Sequence, residues 1–137
     1  MIILFIVLPL VVAGLLPLVG KVSKRVLPDL LANVTLLFLL VYAVAAGPAL
    51  IAGGAVFQDL PWLGEDVGIC LAMDGFSLFM LVVVALVALA AGLFAIDYME
   101  HYGGKANFYA LYLVMVAGMN GLVLATDLFG VYIFLEV

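Results

Sequence analysis

The sequence predicts an all-α integral membrane protein with four full transmembrane helices, the start of a fifth, and the N-terminus outside. Three observations carry that prediction. Of the 137 residues 70% are hydrophobic and only 9% are charged, against about a quarter charged in ordinary globular domains. Mean hydropathy is +1.48, and the charges cluster between long runs that contain none. Once those runs are laid across a bilayer, all four basic residues fall on one side of it.

About 20 apolar residues rising 1.5 Å each cross ~30 Å of hydrocarbon. Uncharged stretches of that order cover residues 2–19, 30–51, 77–96 and 108–125. A further apolar run opens at Asp127 and covers 127–137. The first stretch lacks the positive leading segment of a signal peptide and carries Pro9 and Pro17 in place of a small-residue cleavage site, so it is expected to remain as a membrane helix. Barrel strands would alternate in polarity, whereas residues 81–89 are apolar at every position. Lys21, Lys24 and Arg25 follow the first helix and Lys105 follows the third, which makes their side cytoplasmic and sends the fifth helix back toward it. The outer side carries Asp59, Glu65, Asp66, Asp74 and Asp127 with no compensating Lys or Arg.

Residues 52–76 form the longest connection, an outer loop. Its Gly53-Gly54 and Leu60-Pro61-Trp62 segments carry turn and interfacial-aromatic signals, consistent with a short hairpin at the membrane surface. Asp74 or Ser77 is placed to cap the third helix by accepting from its free N–H groups. Thr126-Asp127 leaves only a tight turn between the fourth and fifth runs, which makes those helices antiparallel neighbours. Asp127 is expected to cap the fifth helix at the positive end of its dipole.

Glu136 is the one charged residue deep inside an apolar run. Nine residues beyond Asp127, it lies about 13 Å into the membrane. Translocon scales place an acidic group at a helix centre at ~2.5–3.5 kcal/mol, so it must be protonated, paired or facing a wet cavity. Each of those conditions suits proton movement, because an ammonium that approaches or withdraws changes how tightly a buried carboxylate holds its proton. The plainer alternative is a protonated Glu136 hydrogen-bonded to a neighbouring helix.

Other polar groups carry less. Asn120, between Gly118 and Gly121, reads either as a polar contact along a water path or as helix packing through small residues. His101 sits with Asp97, Glu100 and Lys105 in a short cytoplasmic loop and reads as solvated rather than as a proton relay. Ala85, Ala88 and Gly92 offer a small-residue face on the third helix. Cys70 cannot form a disulfide within the chain and reads as a small apolar residue. A net charge of -5 offers no basic patch for nucleic acid. No Gly-rich phosphate loop, nucleophile–base pair or metal-ligand cluster is present, so neither a catalytic centre nor a cofactor is expected in this chain.

Three motifs resemble a family. They are Met73-Asp74-Gly75-Phe76-Ser77-Leu78-Phe79, then Phe108-Tyr109-Ala110-Leu111, and then the stretch from Ala117-Gly118-Met119-Asn120-Gly121 through Asp127-Leu128-Phe129-Gly130-Val131-Tyr132-Ile133-Phe134-Leu135-Glu136-Val137. In order and spacing they resemble the antiporter-like subunits of respiratory complex I, membrane-bound hydrogenases and Mrp-type sodium/proton antiporters, with the D subunit of the Mrp complex nearest. The resemblance covers nearly all of this chain but only the N-terminal part of such a protein. It implies that Glu136 is the acidic residue of the fifth helix, which in the family modulates a lysine on the seventh during proton transfer. Gly130 stands where many relatives have Asn and Leu135 where many have Phe, and neither change touches the carboxylate.

The eleven residues 127–137 rise only about 16 Å, so the last helix does not cross the bilayer within this sequence. Its terminal carbonyls would lie in hydrocarbon unless more polypeptide continued or covered them, which leads to the expectation of a split subunit or a longer one. The resulting expectation is a segment, residues 1–137, of a proton-translocating subunit in the cell membrane, part of a multisubunit redox-driven or Mrp-type complex. Its partners would be lipid, protons with or without Na+, and membrane subunits that supply the remaining helices and lysines. The alternatives are a structural anchor or spacer that conducts no ions, and a small self-assembling pore or lipid-associated peptide.

Overall fold

A computed structural model describes residues 2–22, 26–61, 68–101 and 104–137. The chain folds into α1 (Leu4–Val22), α2 (Leu27–Gly53), β1 (Val56–Pro61), β2 (Gly68–Met73), α3 (Gly75–Tyr98), a 3-10 turn (Met99–His101), α4 (Lys105–Leu124) and α5 (Leu128–Glu136). The first four helices are each long and apolar enough to cross a membrane. The chain is therefore a mostly helical, multi-pass membrane protein with a short fifth helix. Lys24, Arg25, Trp62, Glu65 and Asp66, on which the orientation and the outer loop partly rest, lie outside the described residues.

α4 is the hub. It packs against α1, α2, α3 and α5, and half of it is buried against 28% for each of the other spans. Its buried positions Tyr109, Leu113, Val116, Ala117, Asn120, Gly121 and Leu124 recur at the three- and four-residue spacing of one helical face. Small residues allow the close approach: a side chain at Gly20 of α1 would collide with Ala106 of α4, and one at Gly92 of α3 would meet Asn33 of α2 at 2.9 Å.

Three helices start earlier than hydropathy predicts, each for a local reason. α2 begins at Leu27 rather than at residue 30 because Pro28 fits the first turn, where its missing N–H is not needed, and Asp29 follows within that turn. α4 begins at Lys105 rather than 108, launched from Gly104 in the left-handed region at φ 91°. Charged residues that ended an apolar run thus lie inside helices. For α3, the carboxylate of Asp74 accepts the Ser77 N–H at 2.7 Å, so Ser77 is the donor and Asp74 the capping residue.

The backbone N–H of Ser77 and then the Ser77 side chain, which hydrogen-bond Asp74, hold its carboxyl below the usual carboxylate range. A carboxyl group lowered on folding stabilises fully above its unfolded pKa of about 4, and that contribution is lost as the pH falls through the lower folded value. Asp74→Ala at neutral pH, or acidification of the native protein through that range, will therefore lower the protection of the Ser77 amide against deuterium exchange, taken relative to the intrinsic rate at the same pH. Asp74→Asn, which keeps an acceptor oxygen, will leave the exchange slow at neutral pH.

The outer connection is an antiparallel hairpin with Val56 opposite Met73 and Pro61 opposite Gly68. It is fastened at two points. Gln58 accepts the Ile2 N–H at 3.1 Å, and the Cys70 carbonyl accepts both the N–H and the hydroxyl of Thr126, at 3.1 and 2.8 Å. The Cys70 side chain itself is exposed.

Candidate functional site

Two charged side chains meet in the interior, where three helices converge. Lys105 Nζ donates to Asp29 Oδ2 at 2.8 Å, with only 8% and 9% of the two side chains exposed. Asp29 is held there by the first turn of α2 and Lys105 by the first turn of α4. One turn further along each helix stand Asn33 and Tyr109, at the four-residue spacing that keeps a helical face. Asn33 Nδ2 donates to the Asp29 carbonyl at 2.8 Å and, more weakly, to the Gly92 carbonyl of α3 at 3.5 Å. The Tyr109 hydroxyl donates to the same Gly92 carbonyl at 3.2 Å and also faces Asn33 and Asp29. A turn further still, Tyr112 donates to the Ala88 carbonyl at 2.8 Å.

Two oxygens in this cluster have no partner. Asp29 Oδ1 and Asn33 Oδ1 are both buried and both accept no hydrogen bond. Buried acceptors are almost always satisfied, and leaving one unsatisfied costs about 1–3 kcal/mol.

Sequence reasoning missed this cluster. It placed Lys105 in a solvated cytoplasmic loop with His101, whereas the structure leaves His101 exposed and buries Lys105 at the head of α4. The available signal was Asp29 itself, an acidic residue within reach of the basic side that holds Lys21 and Lys105, four residues before Asn33. Hydropathy discards such a residue as the end of a run.

The residues singled out from the sequence are dispersed. Asn120 lies at the α1–α4 interface, 2% exposed, with Nδ2 donating to the Phe5 carbonyl at 3.0 Å. That carbonyl would ordinarily accept from the residue four positions on, which is Pro9 and has no N–H, so Asn120 satisfies an acceptor that a proline leaves open. Asp127 is the N-cap of α5 and accepts the Gly130 N–H at 3.3 Å. Phe134 lies against Gly121 and its carbonyl against Gly118, closely enough that a side chain at Gly121 would overlap the ring. Gly130, one turn before Phe134, is buried as well. Glu136 is exposed, two residues on from Phe134 and so about 200° around the helix, turned away from α4.

Residues 63–109 match the family described as NADH-ubiquinone oxidoreductase (complex I), chain 5 N-terminus. The D subunit of a probable K+/H+ antiporter from Rhizobium meliloti is 32% identical over 141 residues, covering 99% of this chain. A chain in the structure of the Mrp complex from Dietzia sp. DQ12-45-1b is also 32% identical and superposes with a TM-score of 0.85 over 98% of this chain. This chain belongs to the antiporter-like subunit family of complex I and Mrp complexes. The antiporter-like fold extends to a chain of the membrane-bound sulfane sulfur reductase, an archaeal respiratory membrane complex, with a TM-score of 0.86 over 98% of this chain at 21% identity. This antiporter-like chain spans 26% of the length of the Rhizobium relative and 24% of the Dietzia chain.

Proposed function

We propose that this chain forms part of a proton-translocating membrane subunit of a multisubunit Mrp-type or redox-driven complex, with Glu136 as a proton-handling residue. The observation that carries the reading is the pose of α5. Its cap at Asp127 and the seating of Phe134 on Gly121 leave Glu136 on the opposite face, at the far end of the apolar helix from its cap. A carboxyl group within a membrane must be neutral, paired or wet, and whatever faces it from outside this segment supplies the counterpart. Family membership supports the remainder: the Rhizobium meliloti relative is named for K+/H+ exchange, which makes a proton exchanged against a monovalent cation the reaction to measure.

Glu136→Gln keeps the shape of the side chain and removes its titration. In inside-out vesicles that contain the complete complex, proton flux followed with a pH-sensitive dye on addition of K+ or Na+ is expected to fall at least tenfold. Native electrophoresis should show the complex still assembled. Unchanged flux in an assembled complex would remove Glu136 from the proton path.

A further inference from the structure

We propose that Asp29 and Lys105, with Asn33 and Tyr109, form a second proton-exchange site, separate from Glu136 and entered from the membrane face that carries Lys21. The inference rests on the reading of this protein as a proton translocator.

Local folding gives no reason for a lysine at position 105. A cation at a helix N-terminus stands at the wrong end of the dipole, and α4 starts there without a side-chain cap. Nor is the pair an efficient source of stability, because well-packed apolar residues in place of a buried ion pair are often neutral or stabilising. The site keeps both charges, and it also keeps two buried acceptors, Asp29 Oδ1 and Asn33 Oδ1, with nothing donating to them. Both lie on one face of α2, one turn apart, beside the Tyr109 hydroxyl. That is the polar setting in which a protein holds a water molecule.

We assign the site's entrance to a cleft that Lys105 helps to line. This cleft, of about 500 Å³, opens between the end of α1 and the start of α4, and Lys105 forms part of its wall together with Gly20, Lys21 and Asn107. The 2.8 Å contact is short enough for direct transfer: one N–H bond breaks, one O–H bond forms, and ammonium plus carboxylate become amine plus carboxylic acid with no change in net charge. The amine then takes a proton from hydronium in the cleft, leaving water. The carboxyl then rotates about Cβ–Cγ, carrying the Oδ2–H from Lys105 to a water held on the Oδ1 side; the O–H bond breaks there, forming hydronium on the inner side and restoring the original pair. One proton has moved inward for each cycle, and Tyr109 and Asn33 act as positioning residues for the receiving water.

The test uses the full-length protein in its assembled complex. Asp29→Asn combined with Lys105→Met removes both charges at nearly constant volume. The expected result is an assembled complex whose proton flux falls at least tenfold, while an assembled double variant within twofold of the native flux overturns the proposal. If the double variant fails to assemble, infrared difference spectra of the native complex on acidification decide. A protonated-carboxyl band that shifts in deuterium oxide, survives Glu136→Gln and moves with Asp29→Glu supports the site, and lack of such a band overturns it. Flux lost in Glu136→Gln but retained in the double variant removes this second site alone, whereas flux retained in both removes Glu136 from the proton path as well.

Discussion

Lys105→Met on its own is expected to destabilise the helical bundle by about 3–5 kcal/mol, because it strands the Asp29 carboxylate among apolar helices. The magnitude comes from the loss of the partner, not from any large net contribution of the pair. Lys105 Nζ is the donor that Asp29 Oδ2 accepts from, at 2.8 Å and with less than a tenth of either side chain exposed, while Oδ1 already has no donor. Thermal unfolding in detergent, read by tryptophan fluorescence or by loss of the assembled complex, should show a clear drop for Lys105→Met and a similar one for Asp29→Ala. The neutral double variant should recover most of it. That non-additivity is the signature of direct coupling, and equal, additive losses would mean that the two charges do not depend on each other.

Gly121→Leu should have the second largest effect. Any Cβ at that position overlaps the Phe134 ring, so α5 must slide or rotate off α4. Overpacking of this kind typically costs about 1–3 kcal/mol, and here the displaced helix is also the one that carries Glu136. Deuterium exchange across residues 128–136 should rise, and proton flux should fall even though no titratable group has changed. Gly14 is the matched control: a side chain there meets nothing within 4 Å, so Gly14→Ala should leave both readings at the native level. A normal exchange pattern for Gly121→Leu would mean that Phe134 does not set the pose of α5.

Much of the fold was legible from hydropathy alone, since the four spans and the short fifth helix depend on apolar length, a property that neighbours in the chain determine together. The hairpin was suggested by Gly53-Gly54 and Leu60-Pro61-Trp62, yet Gly53-Gly54 end α2 and Leu60-Pro61 belong to the strand β1. What escaped is what depends on two helices at once. Asp29 and Lys105 are 76 residues apart, and each sits where a charge is ordinary, at the end of an apolar run. Only the packing of α2 on α4 turns two unremarkable termini into a buried pair. Asn120 escaped similarly: its meaning lies in Pro9, 111 positions away, and no pattern within α4 points there. The sequence marks Glu136 as a charge in an apolar run, but its direction around the helix depends on which of its neighbours finds the glycine notch.

The hairpin has a mechanical consequence. Because one strand grips the peptide of Ile2 through Gln58 and the other grips Thr126 through the Cys70 carbonyl, it works as a tie between the entrance of the first helix and the elbow from which the last one departs. Any swing of that last helix about its elbow must either drag this tie, and with it the far side of the bundle, or break two hydrogen bonds at a single carbonyl.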